Sequence, residues 1–355
     1  MMRRTALLIA IALLIIAPPA CRKATNAQSR PAKPTTTQPT TGPALDAQGL
    51  LTLQPTVESL AQASAFTFAI MSDHKGQDPV SSPFMRNCAM QINQLQAQFV
   101  VGGGDHLDSE KKNPFLNFVA VSPFWGRHFY PNIADGENSL YAQGNQAAWG
   151  AGRPFLQALE MGKRPEVQVR PNGCEYYAKI PVQGYVVHLI QLHYPDEPKD
   201  NPALAFPEDS RKYLMDTLAS IDKQPGRDIV VVVAHDGNWP QALAPAQREK
   251  LLAKADLIIG ASTHYWKRYD YSPAGPLAIN SGSVGYAKER KKPRYEGWVS
   301  VHVLKNPLSL LVQYQNAEQT GLQIVGPKFR FIKVIGGKVT PALFEGEQPP
   351  GKDEE

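Results

Sequence analysis

The sequence predicts an α/β fold, an αββα sandwich in which two β-sheets pack face to face between helices, with β-hairpins near the carboxyl end. Short apolar runs typical of buried strands alternate with segments of helical periodicity between residues 66 and 285. After residue 298 the pattern changes to pairs of β segments. Of the 355 residues, 43% are hydrophobic, which supports a sizeable core. We therefore expect one folded domain over residues 60–345.

The amino terminus is typical of an export signal. A basic start precedes an unbroken apolar run of twelve residues, 6–17, which is too short to span a bilayer. Ala20 and Cys21 then resemble the lipobox of bacterial lipoproteins, although Pro18 stands where Leu is usual. We expect residues 1–20 to be a signal peptide and Cys21 to be acylated, with ordinary secretion as the alternative. The protein would then lie in the bacterial cell envelope, attached to the membrane by its lipid.

Residues 21–50 are predicted to be a disordered tether, because residues 22–45 are rich in Thr, Pro, Lys and Arg and almost lack large apolar residues. The chain has 37 Lys and Arg against 32 Asp and Glu, but six of those bases precede residue 46 and no acid does. The remaining chain carries a net charge of −1, so its charge gives no support for nucleic-acid binding. Residues 346–355 are predicted to be a disordered tail.

The first predicted elements are a buried strand at 66–71, a helix at 83–97 and a second strand at 99–102. Cys88 and Ile92 are two of the apolar residues at helical spacing in the helix. Two segments, 176–180 and 185–192, flank Pro-Val-Gln-Gly and predict a hairpin.

The later elements follow the same order of strand and helix. Helices are predicted at 207–221 and at 240–254, where Pro245 marks a kink or boundary. Four valines and an isoleucine predict a fully buried strand at 228–234. Shorter strands follow at 257–259 and 277–280, and two hairpins at 298–304 with 309–315 and at 329–335 with 338–344.

Carboxylates and imidazoles follow the predicted strands. The five segments are Ser-Asp-His-Lys-Gly at 72–76, Gly-Gly-Gly-Asp-His-Leu-Asp at 102–108, Ala-Asp-Gly-Glu-Asn at 134–138, His-Asp-Gly at 235–237 and Gly-Ala-Ser-Thr-His at 260–264. Ligand sites of open α/β sheets lie beyond the carboxyl ends of the strands. A single Asp or His there is usually a turn residue or a helix cap, but five such segments predict a metal site.

These segments resemble, in order, the motifs of the calcineurin-like metallophosphoesterases, a family that includes purple acid phosphatases and many phosphodiesterases. Its blocks are D-x-H, G-D-x-x-D, G-N-H-D/E, a lone His after a strand, and G-H-x-H. Gly-Asp-His-Leu-Asp at 104–108 fits the second block completely, and the resemblance covers about residues 66–285. It implies the two-sheet fold of the family and a metal-dependent hydrolysis of phosphoesters.

Each implied metal site lacks one imidazole of the family pattern. Lys75, Gly136 and Ser262 stand where the family has His. The resemblance implies one metal near Asp73, Asp105 and His264. A second would lie near Asp105, Asp135 and His235, so that Asp105 bridges the two. We expect one or two divalent or transition metal ions, with Mn, Fe or Zn as candidates.

Three further residues are candidates for catalysis, because the imidazole that assists the leaving group is missing. His74 and His106 adjoin presumed ligands, and either could donate a proton or hydrogen bond to the leaving oxygen. Lys75 could replace one cation and bind a phosphate oxygen as a point charge. The expected substrate is a small phosphate ester or a phosphorylated polymer. The alternative is a non-catalytic binding protein on the same fold with a decayed metal site.

Several other residues have open or structural interpretations. His188 and His302 lie within strands and are predicted to be structural, whereas His128 and His193 lie near strand ends and are minor candidates for the pocket. Cys88 and Cys174 could form a disulfide in an exported protein, or remain buried thiols.

Overall fold

The structure is a computed structural model that describes residues 60, 62–107, 113–134, 137, 153–193, 206–272, 275–284, 296–322 and 326–343. All described residues belong to one unit, which spans residues 41–355. The predicted signal peptide, Cys21, the tether and residues 346–355 lie outside the described residues. No helix within those described residues is both long and apolar enough to cross a membrane.

Fourteen strands are present among the described residues. They are β1 Ser64–Met71, β2 Val100–Gly102, β3 Phe129–Tyr130, β4 Val167–Val169, β5 Tyr176–Val182, β6 Tyr185–Gln191, β7 Asp228–Asp236, β8 Leu257–Ala261, β9 Trp266–Tyr269, β10 Leu277–Ser281, β11 Gly297–Leu304, β12 Ser309–Asn316, β13 Arg330–Val334 and β14 Val339–Pro341.

The described α-helices are α1 Pro83–Gln94, α2 Pro114–Val121, α3 Pro123–His128, α4 Arg153–Ala158, α5 Glu208–Ser220 and α6 Pro245–Lys254. Short 3₁₀ segments occur at Met161–Lys163, Trp239–Ala242 and Pro327–Phe329. Proline occupies the first turn of α1, α2, α3 and α6, where its missing N–H costs no hydrogen bond.

The strands form two mixed sheets of seven strands. The first has the order β14-β13-β12-β11-β1-β2-β3 and the second the order β4-β5-β6-β7-β8-β10-β9. Parallel pairing joins β1, β2 and β3 in the first sheet and β6, β7, β8 and β10 in the second, and antiparallel pairs complete each sheet. The predicted α/β class, the two packed sheets and the carboxyl-terminal hairpins are therefore confirmed.

Strand β7 shows how the layers pack. Its side chains alternate between two apolar clusters, and all nine residues are buried. Val231 and Val233 belong to the large cluster that joins the two sheets and includes Phe68 of β1. Val230 and Val232 belong to a separate cluster with residues of α5 and α6 on the outer face. A strand covered on both faces is apolar along its central residues, as the valine-rich sequence predicts.

The observed ends of several elements differ from the predicted ones. Helix α1 ends at Gln94 rather than at 97, and Gln96 just beyond it adopts a left-handed φ of 51°. Pro245 is a boundary and not a kink, since a 3₁₀ turn precedes it and α6 begins there. The last hairpin is shorter than predicted, with strands Arg330–Val334 and Val339–Pro341.

Candidate metal centre

The structure brings four of the five predicted metal ligands to one edge of the two sheets. Asp73 follows β1 and Asp105 follows β2, which are parallel neighbours in the first sheet. His235 lies near the end of β7 and His264 follows β8, which are parallel neighbours in the second. The fifth predicted ligand, Asp135, lies outside the described residues.

Asp73, Asp105 and His235 form a compact buried group, each offering one ligand atom within 4.8 Å of the others. His235 Nε2 lies 3.7 Å from Asp105 Oδ2 and 3.9 Å from Asp73 Oδ1. His264 Nε2 lies 3.1 Å from the same Asp73 oxygen. His235 Nδ1 is 2.8 Å from the carbonyl oxygen of Gly103, a bond that requires Nδ1 to carry the proton. Nε2 is then left with a lone pair facing the carboxylates, as in a metal-ligating histidine.

The Asp73 carboxylate is the buried charge that most favours a cation at this site. Both of its oxygens are shielded from solvent; Oδ1 lies 3.1 Å from His264 Nε2, and Oδ2 accepts no hydrogen bond from the described residues. Burial would raise the pKa of Asp73, but His264, His235 and Lys75 outweigh it and hold the pKa below its usual value. Buried carboxylate oxygens without hydrogen bonds are rare in folded proteins. Two carboxylates and an imidazole are a donor set that suits Zn, Mn or Fe.

The backbone at this edge is held in an unusual conformation. Eight described residues other than glycine have positive φ, and five of them lie at this site: Asp73, Lys75, Asp105, Ser262 and His264. The left-handed region is costly for residues with a Cβ atom. Such strain is concentrated where a side chain must point in a set direction.

Lys75 forms an ion pair with the Asp105 carboxylate. The Lys75 side chain is 18% exposed and the Asp105 side chain only 3%. The backbone reinforces the pair, because Lys75 N donates to the Asp105 carbonyl oxygen over 3.0 Å. A fixed ammonium therefore lies on one side of the carboxylate group and faces solvent.

His74 and His106, the two predicted acid catalysts, lie in the interior instead. Gly104 N donates to His106 Nε2 over 3.1 Å, so the proton of His106 is on Nδ1 and is donated to His74 Nε2 at 3.0 Å. Both rings are fully buried and pack near Phe115. Burial lowers the pKa of His74 to about 3 and that of His106 well below its usual value. Their buried position favours a role in holding the loops after β1 and β2 in shape over a role in proton donation.

Glu137 is a site residue that the sequence analysis did not single out. Its side chain is completely buried. Oε1 accepts hydrogen bonds from His106 N at 2.6 Å and Leu107 N at 3.0 Å, and Oε2 accepts one from Ala134 N at 2.9 Å. Glu137 therefore ties the loop that carries Asp105 to the loop after β3. The signal available was its position in the third motif block, at 134–137.

The segment after β10 supports the loop that carries Asp73. Ser283 Oγ donates to the carbonyl oxygen of Asp73 at 3.2 Å, and Val284 N donates to that of Ser72 at 3.2 Å. Asn280 Nδ2 donates to the carbonyl oxygen of Ala261, just before the His264 turn. These residues connect the ligand loops of the two sheets.

The remaining histidines lie away from the cluster. His188 hydrogen-bonds to Tyr177 and Asp228, and His302 to Thr67, within their sheets. His193 follows β6, and its Nδ1 is 3.1 Å from the carbonyl oxygen of Ile133. His128 ends α3 instead of a strand.

Cys88 and Cys174 are both buried, and the structure contains no disulfide between them. Burial raises the pKa of the Cys88 thiol.

No protein-family model matches the chain. No curated protein matches it either. Among solved structures, the chain is similar to GAP50, the anchor in the inner membrane complex of Plasmodium, at 14% identity and a TM-score of 0.47, covering 79% of this chain and 91% of that one. It is also similar to the purple acid phosphatase PPD1 of yellow lupin, at 14% identity and a TM-score of 0.46, covering 85% of this chain and 59% of that one.

A putative 5′-nucleotidase from Staphylococcus aureus is similar at 14% identity and a TM-score of 0.40, covering 81% of this chain and 56% of that one. The chain thus spans less than two thirds of the lupin and staphylococcal proteins. At these identities and TM-scores, none of the similarities is a basis for assigning an activity.

Proposed function

We propose that the protein is a metal-dependent phosphoester hydrolase with an atypical site, related to the calcineurin-like metallophosphoesterases. The observation that carries the proposal is the buried Asp73 carboxylate, whose Oδ2 accepts no hydrogen bond from the described residues and which lies beside Asp105 and His235 at the carboxyl ends of the strands. Asp73, Asp105, His235 and His264 would hold the metal. A divalent metal in such a site supplies a hydroxide nucleophile and a Lewis acid for the phosphate.

Lys75 completes the site in this proposal. Its ammonium is fixed by Asp105 and reaches solvent, so it can bind a non-bridging phosphate oxygen as a point charge. One resident metal plus Lys75 would then supply the positive charge that two metals supply elsewhere. His264 contacts Asp73 and would limit the rotation of that carboxylate.

The direct test combines metal analysis and turnover. The purified protein is expected to hold about one equivalent of Mn, Zn or Fe, and to hydrolyse an aryl phosphate monoester or diester when that metal is supplied. Asp105→Asn should abolish both metal retention and turnover, because it removes a charged ligand next to His235. Asp216→Asn, on the exposed surface of α5, is the matched control and should change neither.

A second candidate, a non-catalytic binding protein, is favoured by one observation. The Lys75 ammonium already neutralises Asp105 and repels a dication, so the site can satisfy its charges without metal. Folded protein that retains no metal after incubation with Mn, Zn and Fe, and turns over neither ester, would establish this candidate instead.

We also propose that the protein is exported and anchored to the bacterial envelope through acylated Cys21. The basic start, the twelve-residue apolar run and the Ala20-Cys21 junction support this proposal. A palmitate analogue should label the wild-type protein and not the Cys21→Ala variant. Equal labelling of both would rule out acylation at this position.

A further inference from the structure

One end of the sandwich is where the chain enters the two sheets. β1 starts there at Ser64, which lies opposite Leu304 at the end of β11. The parallel strands β6 and β7 of the second sheet start at the same end, since the rings of Phe66 in β1 and Tyr185 in β6 are 5.9 Å apart between centroids. The metal centre lies at the other ends of β1 and β7. We call the end that contains Ser64 the entry edge.

The helices α2 and α3 form a hairpin whose turn lies toward the entry edge. α2 begins at the end that holds the metal centre, because Phe115 N donates to the carbonyl oxygen of Gly76 at 3.2 Å. α3 then packs back along α2, and the Trp125 ring lies 5.5 Å from that of Phe118 and 6.3 Å from that of Phe115. The turn between the two helices is therefore the part of the hairpin farthest from the metal centre.

Apolar side chains at this turn face solvent. Val121 is 80% exposed, Ala120 and Pro123 are exposed, and Phe118 and Phe124 are half-buried. A single exposed apolar residue is ordinary, but these five are close neighbours in sequence, and no acid occurs in α2, in α3 or between them. We call this group the apolar turn. A group of this kind marks a surface that contacts a partner or a lipid phase.

Four exposed bases lie toward the entry edge. Arg127 comes just before β3, Arg227 just before β7, Lys305 just after β11 and Lys338 just before β14. None of the four forms an ion pair with a residue that the structure describes. Their charges are therefore available to an anionic surface.

The acids toward the same edge do not cancel this charge. Each of them is buried, paired with a base or bonded to a neighbouring side chain, and the described ones are Glu160, Glu166, Asp222, Asp228, Asp256 and Asp270. The charge left without a partner at the entry edge is therefore positive.

We infer that the entry edge is a membrane-docking surface, on which the apolar turn enters the headgroup layer of an anionic bilayer and the four bases lie against the lipid phosphates. An acid-free apolar group beside unpaired bases is the combination that binds at a lipid interface. A second copy of this chain fits less well, because a two-fold contact through this surface would bring like charges together.

The place of this surface in the chain agrees with the proposed anchor. Residues between Cys21 and Leu60 precede the entry edge, and a polar linker of this length spans about 35 Å on average. A domain held that close to a bilayer needs only a weak surface to stay on it. The metal centre, at the opposite end, would then face water. This orientation toward the anchor rests on the proposed acylation of Cys21, whereas the docking surface itself does not.

The first test uses the whole chain with Cys21→Ala, so that no acyl group contributes to binding. An environment-sensitive dye is attached to Val121→Cys, since Cys88 and Cys174 are buried. Its emission should shift to the blue with vesicles of phosphatidylcholine and phosphatidylglycerol at a ratio of about 3:1, and much less with phosphatidylcholine alone.

Val80→Cys with the same dye is the matched control. Val80 is 81% exposed and lies in the loop between β1 and α1, at the end that holds the metal centre. Its emission should not change, even if the amino terminus brings the domain close to the vesicle.

The second test removes charge from the entry edge. A base near an anionic bilayer strengthens binding about fivefold, so Lys305→Gln combined with Lys338→Gln should weaken binding to the anionic vesicles about 25-fold. Lys212→Gln combined with Lys267→Gln removes the same charge from exposed positions of α5 and β9 and should have little effect.

Four results would overturn the inference. They are equal emission shifts at positions 121 and 80, equal binding to both kinds of vesicle, wild-type binding by the variant at 305 and 338, and a shift at position 121 that grows with protein concentration without lipid. The last would identify the surface as a contact between copies of the chain. Neither acylation nor turnover enters these measurements, so failure of the proposed anchor or of the hydrolase activity would leave them unaffected.

Discussion

Lys75 is the residue that most distinguishes this site from a site with two metal ions. Its ammonium competes with a bound dication for Asp105 and also repels it. Lys75→Met removes the charge and keeps the length of the side chain, so metal should bind about tenfold more tightly or with a second equivalent. If Lys75 contacts the phosphate, KM for an aryl phosphate should rise at the same time. Calorimetric metal titration and steady-state kinetics measure the two effects.

Lys179→Met, at an exposed position of β5, is the control for Lys75→Met and should change neither quantity. Unaltered metal affinity in Lys75→Met would show that the ammonium does not compete for Asp105.

Glu137 is expected to position the metal ligands without touching the metal. Glu137→Gln replaces one acceptor oxygen by an NH₂ group, which faces a backbone N–H and breaks the link between the two loops. Loss of a partner that orients ligands typically weakens metal binding about 10- to 100-fold. Metal titration should show this loss at a temperature where circular dichroism shows the variant fully folded.

Glu166→Gln is the control for Glu137→Gln, because this half-buried carboxylate bonds to Tyr130 outside the metal centre. A Glu137→Gln variant that binds metal normally but melts at a lower temperature would limit Glu137 to a stabilising role.

At the scale of elements, the Gln91 side chain links helix α1 to the first sheet and to the loop after β12. Gln91 Nε2 lies 2.9 Å from each of the carbonyl oxygens of Asn316, Gln319 and Gly321, and Gln91 Oε1 accepts from Trp298 Nε1 at 2.6 Å. Gln91→Leu leaves the buried Trp298 Nε1 without its acceptor and removes the donor to the three carbonyl oxygens, so we expect a loss of about 1–3 kcal/mol in the free energy of unfolding. Urea denaturation measures it.

Gln94→Leu, one turn further along α1 at an exposed position, provides the comparison and should change stability by less than about 0.5 kcal/mol. Similar values for the two variants would contradict the anchoring role of Gln91.

The strands were the elements most predictable from the sequence. Helices α2 and α3, which precede β3, were the least predictable. β7 is recognisable from its valines because a strand buried on both faces tolerates few polar residues. By contrast, α2 and α3 are short, and their apolar residues show no clear period, although Pro114 and Pro123 begin them. Their stability comes from packing around Phe115 and Trp125, which a linear sequence does not display.

At the scale of the whole molecule, stability should fall in acid because buried histidines resist protonation. Burial lowers the pKa of His302 to about 4 from an ordinary value of 6.5. Between these pH values the unfolded chain binds a proton that the folded chain does not, so stability rises with pH across this window. The contribution of His302 is present in full above pH 6.5 and is lost at up to about 1.4 kcal/mol per pH unit as the pH falls toward 4.

His302→Gln should flatten the dependence of unfolding free energy on pH between 4 and 6.5, because Gln does not titrate and can still bond to Thr67. Urea denaturation at several pH values provides the measurement. If the unfolding free energy of the variant varies with pH as steeply as that of the wild type, His302 is not the source of the acid sensitivity. The effect is independent of the metal centre, since His302 lies within β11.

The site itself was only partly predictable at this scale. Carboxylates and imidazoles after parallel strands indicate a shared edge, and Asp73, Asp105, His235 and His264 do meet there. The ion pair of Lys75 and the burial of His74 depend on which way each residue of a tight loop turns, which spacing along the chain does not determine. Glu137 acts through backbone N–H groups, so its position in the third motif block does not reveal its partners.

The left-handed backbone conformation of the residues at the metal centre has a consequence for how this protein could evolve. Glycine adopts that conformation without penalty, so replacing Asp73, Asp105 or His264 by glycine would relieve local strain of about 1 kcal/mol or more at each position. Relief of the backbone would therefore offset part of the stability lost when a ligand side chain and its contacts are removed. A lineage that no longer used the site would meet a reduced stability cost on losing these side chains.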